Sequence, residues 1–243
     1  MPTPSRITHD LLDALHQPDC PVCRLVERDV RQYIDGFFYE SLTVVERRAE
    51  IRRARGFCPT HGSILAGHSR TLGTAIVHHD VLNDVLRGFP DAAEATPTRL
   101  AGGPAQILRR ALTPLRKAVA AALHPQHECV LCAHERHQER IVLETLLNGL
   151  SDQKLGDQNI PTAFEASDGI CLPHLEAALA LPSTAAAQRR LINLQGALMR
   201  RLHAELALFI HKNNGSYEFV TMGDEAGAPA RAARMVSGRT RRS

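Results

Sequence analysis

Two short cysteine motifs, each present twice, constrain this chain more than any other feature of its 243 residues. A CxxC motif at residues 20–23 is followed, after 34 intervening residues, by a CxxH motif at residues 58–61. A second CxxC motif at residues 129–132 is followed, after 38 residues, by a CxxH motif at residues 171–174. The CxxC motifs are 109 positions apart and the CxxH motifs 113, a difference of four residues that a loop can absorb. We therefore interpret the chain as two tandem copies of one unit, which together use all six cysteines.

Each copy carries three thiols and one imidazole, which is the donor set of a tetrahedral Cys3His zinc site. We predict two zinc ions per chain, with all four ligands of a site coming from the same copy. The predicted ligands are Cys20, Cys23, Cys58 and His61 for one ion, and Cys129, Cys132, Cys171 and His174 for the other. Four protein ligands leave no open position for a water molecule, so we expect structural rather than catalytic zinc and assign no catalytic residue.

Two other chemistries use the same donors. An iron–sulfur cluster with three cysteines and one histidine is one alternative, although such clusters usually occur with other spacings. A zinc or thiol-redox sensor, in which oxidation closes each CxxC pair into a disulfide and releases the metal, is the second.

Apolar residues recur with helical spacing after each motif, without a convincing strand alternation. A stripe from Val26 to Phe37 follows the first CxxC, and Ile141 to Leu146 continue the matching helix of the second copy. Longer apolar stripes occupy residues 72–87 and 185–210, and residues 105–123 predict a further helix that joins the copies. We predict an all-α fold of two pseudo-symmetric helical zinc-binding modules that pack through the two long helices.

Three prolines and two adjacent glycines between the copies indicate a linker. We predict a first module at residues 1–88, the linker at 89–104, a second module at 105–220 and a disordered basic tail at 221–243. The tail contains five arginines against two carboxylates, so it holds the whole net charge of +3. The rest of the chain is neutral, which argues against a highly basic nucleic-acid-binding body.

The first ten residues lack the apolar stretch of a signal peptide. Apolar runs elsewhere are shorter than the roughly 18 residues that a membrane span needs. We therefore expect a cytoplasmic protein without membrane contact, where six cysteines are more typical of metal ligands or redox groups than of structural disulfides.

Several further histidines and arginines fit ordinary surface roles better than metal or phosphate sites. Four histidines flank the second CxxC and could replace His174 as a ligand, but the first copy has no counterparts, which favours a polar surface. They are His124, His127, His134 and His137. The run His78-His79-Asp80 resembles a metal site, yet adjacent helical residues point about 100° apart. Five arginines before Gly56 alternate with glutamates, a pattern typical of a salt-bridged surface. They are Arg47, Arg48, Arg52, Arg53 and Arg55.

The first copy resembles a bacterial family of unknown function. The resemblance rests on the CPxC at residues 20–23, the Gly-Phe-Cys-Pro-Thr-His at 56–61 and the apolar helix after Leu72-Gly73, and it is best between Asp19 and Phe89. The second copy departs from the family motifs, with Val130 in place of proline and Ile170 in place of phenylalanine, but it keeps all four predicted ligands. The resemblance implies a zinc-binding helical protein and brings no catalytic residues.

The closed ligand sets favour a non-enzymatic, zinc-stabilised scaffold with a binding, interaction or regulatory role. No phosphate-binding glycine loop, nucleophile elbow or HExxH motif is present in the sequence. We expect the partner to be another protein or a second copy of the chain, with only weak support for nucleic acid. An enzyme with a pocket between the two copies is the alternative.

Overall fold

The computed structural model describes residues 6–38, 44–67, 69, 71–89, 104–151, 160–214 and 221–238, without the side chains of residues 104–112. Every regular element in these segments is a helix, which confirms the all-α prediction. The helices are α1 (Arg6–Leu15), α2 (Pro21–Gly36), α3 (Val45–Arg53), α4 (Pro59–Ala66), α5 (Thr71–Leu86), α6 (Pro104–Leu123), α7 (Val130–Ser151), α8 (Ile160–Ala166), α9 (Leu172–Ala180), α10 (Ala185–Asn213) and α11 (Ala228–Ser237). A 3₁₀ helix, Asp224–Gly227, precedes α11. None of the described helices is long and apolar enough to cross a bilayer.

The predicted apolar stripe after the first CxxC is a buried face, whereas the predicted stripe of α5 is largely exposed at Leu72, Leu82 and Leu86. In α2, Val26, Val30 and Ile34 are buried, as is Phe37 directly after the helix, at the three- or four-residue spacing that places them on one face. In α10, Leu191 and Leu198 are buried on the corresponding stripe. Helices α4 and α9 begin directly after Cys58 and Cys171, as the CxxH motifs predicted.

The described residues form two compact units that do not coincide with the predicted modules. One unit comprises the described residues within 6–31 and 135–238, and the other comprises those within 32–134. Residues 21–31 of α2 and 135–151 of α7 belong to the first unit, and the rest of both helices belongs to the second. The predicted module boundaries at 88 and 105 therefore fall inside the second unit, and residues 90–103 of the predicted linker lie outside the described part of the chain.

The first unit has an aliphatic core. In it, α1 packs against α8, while α8 and α11 pack against α10 and α11 also contacts α9. Leu11, Leu146, Phe164 and Leu191 are completely buried. Burial of each such side chain contributes about 1.5–3 kcal/mol, so a core almost without aromatic rings is still sufficient for these helices.

The second unit, residues 32–134, is built around α5, which packs against α3 and α6. Ile34, Ile51, Leu65 and Leu131 line one small internal cavity and are buried around it. The predicted packing of the two long helices, α5 and α10, against each other stays a prediction.

The predicted disorder of the tail is wrong over the residues that the structure describes. Residues 224–237 are helical, Ala228 is fully buried, and Arg231 and Arg234 form ion pairs with Glu205 and Asp19. Alanine and arginine are strong helix formers, and docking on α10 adds the tertiary contacts that composition alone does not reveal. Residues 239–243 lie outside the described part.

Candidate metal centres

All four cysteine motifs lie at helix N-termini. Cys58 and Cys171 are the N-cap residues of α4 and α9, with extended backbone (φ −64°, ψ 164° and φ −68°, ψ 160°). Cys20 and Cys129 directly precede α2 and α7, so the second cysteine of each CxxC lies in the first turn. Prolines in the first turns of α4 and α9 fit these positions because their amides have no helical acceptor there. A helix N-terminus also favours the thiolate form of a cysteine, which is the form that binds metal.

The first cluster consists of Cys20, Cys23, Cys171 and His174, whose donor atoms lie within 4.8 Å of one another. The three sulfurs are 3.4, 3.4 and 3.0 Å from Nδ1 of His174, in that order. The Sγ atoms of Cys23 and Cys171 are 3.7 Å apart. The other ring nitrogen of His174, Nε2, lies 3.6 Å from a carboxylate oxygen of Glu139. Histidines that bind a metal usually have such a carboxylate beside the nitrogen that does not bind the ion.

The second cluster consists of Cys58, His61, Cys129 and Cys132, again with all donors within 4.8 Å. The three sulfurs are 3.2, 3.7 and 3.4 Å from Nδ1 of His61, and the Sγ atoms of Cys58 and Cys132 are 3.5 Å apart. His61 is completely buried, whereas Cys58 and Cys132 are partly exposed. Both clusters therefore present three sulfurs around one imidazole nitrogen.

These separations fit a small tetrahedral cation. With metal–sulfur bonds of about 2.3 Å and a metal–nitrogen bond of about 2.05 Å, a tetrahedron has S···S edges of about 3.8 Å and S···N edges of about 3.6 Å. The S···N distances of the first cluster are 3.0–3.4 Å and those of the second are 3.2–3.7 Å. Either group could hold one metal ion, and the donor atoms do not by themselves identify the metal.

The predicted pairing of the ligands within each copy is wrong. The structure brings together Cys20, Cys23, Cys171 and His174, and separately Cys58, His61, Cys129 and Cys132, so each cluster joins the CxxC of one predicted copy to the CxxH of the other. The first cluster lies wholly in the first unit and the second wholly in the second unit. The two motifs of one predicted copy therefore belong to different units, which is why they do not share an ion site.

Crowding of the thiols changes their acidity in the absence of a cation. In the first cluster, burial raises the pKa of Cys20 well above its usual value, and the neighbouring sulfurs of Cys171 and Cys23 raise it further. In the second cluster, burial and the contacts with Cys58 and Cys129 raise the pKa of Cys132 to about 12. Several sulfurs cannot carry negative charge so close together unless a cation compensates them.

The remaining pKa shifts favour the charged forms of His174 and Cys58. Burial would lower the pKa of His174, but contacts with Cys171 and Cys23 dominate and raise it to about 10. Burial would likewise raise the pKa of Cys58, but the backbone amides of His61 and Thr60 and the nearby thiols lower it overall. A divalent cation would take over the role that protons have in these clusters, and its binding would release them.

A hydrogen-bonded turn positions Cys171 in the first cluster. Gly169 has a positive φ of 76°, and a Cβ at this position would lie 2.6 Å from Oε1 of Gln195. That buried amide accepts a hydrogen bond from the Ile170 N–H (3.0 Å) and donates one to the Ile170 carbonyl (2.9 Å). Gln195 is not among the residues predicted from the sequence, although its place between Leu191 and Leu198 on an apolar stripe was an available signal.

A second contact joins the turns that precede the two motifs. The Asp19 N–H, next to Cys20, donates to the Asp168 carboxylate at 2.8 Å. Asp168 lies three residues before Cys171, so one side chain links the approaches to both ligand pairs of the first cluster. The sequence offered no periodic signal for this contact because both residues lie in turns.

The other candidates from the sequence do not join a metal-binding group within the described residues. His134 stacks on Tyr33 with ring centroids 4.0 Å apart, and His78 contacts the Thr74 carbonyl through Nδ1 at 2.7 Å. Two further histidines have other contacts: His124 with the Pro125 carbonyl and His137 with Arg140. The arginine run forms ion pairs mainly with α5: Arg48 and Arg52 contact Asp80, and Arg55 contacts Asp84.

The chain belongs to a family of unknown function, DUF6062, whose match extends over residues 7–243. The predicted family resemblance is thus confirmed, over a longer part of the chain than the first copy; the tandem duplication itself stays a prediction. The chain is also similar to an uncharacterized 23.9 kDa protein in the xynA 3' region of Caldicellulosiruptor sp. (strain Rt8B.4), at 24% identity over 204 residues, which is 84% of this chain and 87% of that protein. No solved structure matches the chain.

Proposed function

We propose that this protein binds two zinc ions in structural sites, one in each of the two Cys3His clusters. The observation that carries the proposal is the donor geometry, because the donor separations of both groups lie within a few tenths of an ångström of the edges of a zinc tetrahedron, with two donors from each of two helix N-termini. Zinc is favoured over harder cations because thiolates and imidazole are its preferred ligands. The iron–sulfur alternative is less favourable, since one ion fits the S···S distances of 3.5–3.7 Å.

The role of the metal follows from where the ligands lie in the chain. The first cluster joins positions 148–154 residues apart, and the second joins positions 68–74 residues apart. Zinc binding at such sites supplies on the order of 10 kcal/mol at neutral pH, which is comparable with the net stability of a whole domain. Each ion would thus connect two helix starts that are remote in sequence and stabilise the unit that contains them.

We further propose that the metal-stabilised helices act as a non-enzymatic scaffold for a protein partner. Four protein donors complete the zinc coordination, so neither site has an open position for substrate. Exposed apolar side chains on α5, including Leu82 (60% exposed) and Leu86 (59%), favour contact with protein over nucleic acid. Turnover of a metabolite by the zinc-loaded protein in a broad substrate screen would contradict this role and favour the enzyme alternative.

Elemental analysis of the purified chain tests the zinc proposal. We expect two zinc ions per chain, falling to one in Cys58→Ala and to one in Cys171→Ala. His137→Ala is the matched control for a histidine outside both clusters and should keep two. Chelation of both ions should reduce helical circular dichroism and lower the melting temperature; an unchanged metal-free protein would refute the structural role.

The thiol-sensor alternative is favoured by one observation, namely the short sulfur separations. The close pairs are Cys23 with Cys171 (3.7 Å) and Cys132 with Cys58 (3.5 Å), each between different motifs. Hydrogen peroxide would oxidise two thiolates to one disulfide, with two protons consumed and two water molecules formed, and release the zinc. Peptide mapping after mild peroxide would then find these cross-motif disulfides, in contrast to the CxxC disulfides that the sequence suggested.

A further inference from the structure

The C-terminal helix ends directly over the first cluster. At Gly238, the residue after α11, φ is 76° and ψ is −178°, a backbone conformation that is essentially restricted to glycine. Gly238 is buried, and a Cβ at its position would lie 3.5 Å from Sγ of Cys171 and 3.7 Å from Sγ of Cys23. The backbone of this residue therefore covers the edge of the cluster where the two ligand pairs meet.

Ion pairs hold this segment in place. Arg234 contacts the carboxylate of Asp19, the residue before Cys20, and Arg231 contacts Glu205 of α10. At the start of the segment, Lys212 of α10 contacts the buried carboxylate of Glu225. These contacts attach the C-terminal segment both to α10 and to the turn that carries a metal ligand.

The segment fits closely over the ligands. The cavity between α11 and the cluster, lined by Cys20, Cys171, Arg201, Arg234 and Met235 among others, has a volume of only about 20 Å³. This is room for about one water molecule. Cys20 and Cys171 are 5% and 1% exposed, respectively, whereas Cys23 and His174 are partly exposed. A chelator is larger than the space under α11, so it cannot reach the ligands from that side while the segment is docked.

We infer that residues 224–238 form a cap that controls metal exchange at the first cluster, an inference that rests on the proposed zinc function. Each cluster has two buried and two partly exposed donors, and in the first cluster the cap lies over Sγ of Cys171 and Cys23. Undocking of the cap would expose this edge and accelerate release of metal from the first cluster. Substitutions in the cap should therefore change release from the first cluster and leave release from the second unchanged.

Release of zinc from the full-length, zinc-loaded chain to a chromogenic chelator tests the cap. Cys58→Ala reports release from the first cluster alone, and Cys171→Ala reports release from the second alone. Added to Cys58→Ala, Gly238→Ala should strain the backbone and accelerate release about tenfold, whereas added to Cys171→Ala it should leave release unchanged. Gly227→Ala is the matched control, since Gly227 directly precedes α11 with an ordinary φ of −84°. Equal release from the first cluster in the Gly238→Ala and Gly227→Ala proteins would overturn the inference.

Two further measurements separate failure of the cap from failure of the zinc proposal. Arg234→Ala removes the contact with Asp19 and should also accelerate release from the first cluster, so the test does not depend on how Gly238→Ala folds. Iodoacetamide should label Cys171 of the metal-free chain faster in Gly238→Ala than in Gly227→Ala. A chain that binds no zinc but shows this difference in labelling refutes the zinc function alone, whereas a chain that binds two zinc ions but shows equal labelling of Cys171 in the two variants refutes the cap.

Discussion

Removal of the Gln195 side chain should weaken the first cluster without touching a ligand. Gln195 is 1% exposed. Its side-chain amide forms hydrogen bonds with both the N–H and the carbonyl of Ile170, the residue before Cys171. In Gln195→Ala, a buried N–H and a buried carbonyl lose their partners, at a cost of about 1–3 kcal/mol each. The expected loss in unfolding free energy is therefore about 2–6 kcal/mol, a large part of the stability of a typical domain.

Urea titration of the zinc-loaded protein, followed by circular dichroism, measures this loss. Gln188→Ala is the matched control, because Gln188 lies on the same helix, is half-buried and makes no hydrogen bond to the turn at Ile170. We expect the control to change stability by about 0.5 kcal/mol or less. In a Cys58→Ala background, which leaves only the first cluster, Gln195→Ala should also lower the zinc affinity. Equal stabilities of the Gln195→Ala and Gln188→Ala proteins would refute the argument that this amide positions the ligand turn.

Three other predictions follow from single contacts. The contact with Lys212 and the backbone amide of Gly223 lower the pKa of Glu225 from 4.5 to about 2. The ionised Glu225 therefore stabilises the folded protein fully above pH 4.5, and this stabilisation is lost as the pH falls towards 2. Glu225→Gln should have a lower melting temperature than the unsubstituted protein at pH 7 but not near pH 2. Gly169→Ala should destabilise more than Gly56→Ala in thermal melts, because both have positive φ but only the Cβ at 169 would clash with a neighbour, at 2.6 Å. The pKa of Cys132 is raised to about 12, so zinc must displace the proton of this thiol when it binds. Zinc titrations should therefore give an affinity that falls about tenfold for each unit by which the pH is lowered, per thiol proton displaced.

The sequence predicted the local structure around the motifs but not their pairing. A spacing of two residues between ligands allows one turn to bind an ion with both donors. The apolar stripes indicate where helices follow the motifs. Which turns meet depends on the path of the chain between them. Cys20 belongs to the first unit and Cys58 to the second, and no spacing rule reveals this because the helix after Cys23 has the same sequence pattern in either case.

The predicted disorder of the C-terminal segment was also wrong, for a different reason. Residues 224–237 are short of large apolar side chains, and composition alone therefore indicated disorder. The structure stabilises them by ion pairs of Arg231 and Arg234 with carboxylates that lie 26 and 215 residues away in sequence. Contacts of this kind carry no local pattern, whereas Gln195 on the buried stripe of α10 could have been recognised as a buried amide in need of partners.

Zinc stoichiometry of two double variants tests most directly the claim that each site combines ligands from both copies. Cys20 and Cys171 belong to one cluster in the structure, so Cys20→Ala/Cys171→Ala should retain one zinc ion in the second cluster. Cys20 and Cys58 belong to different clusters, so Cys20→Ala/Cys58→Ala should retain none. The reverse result, no zinc in the first variant and one ion in the second, would mean that each copy binds its own metal and would contradict the account.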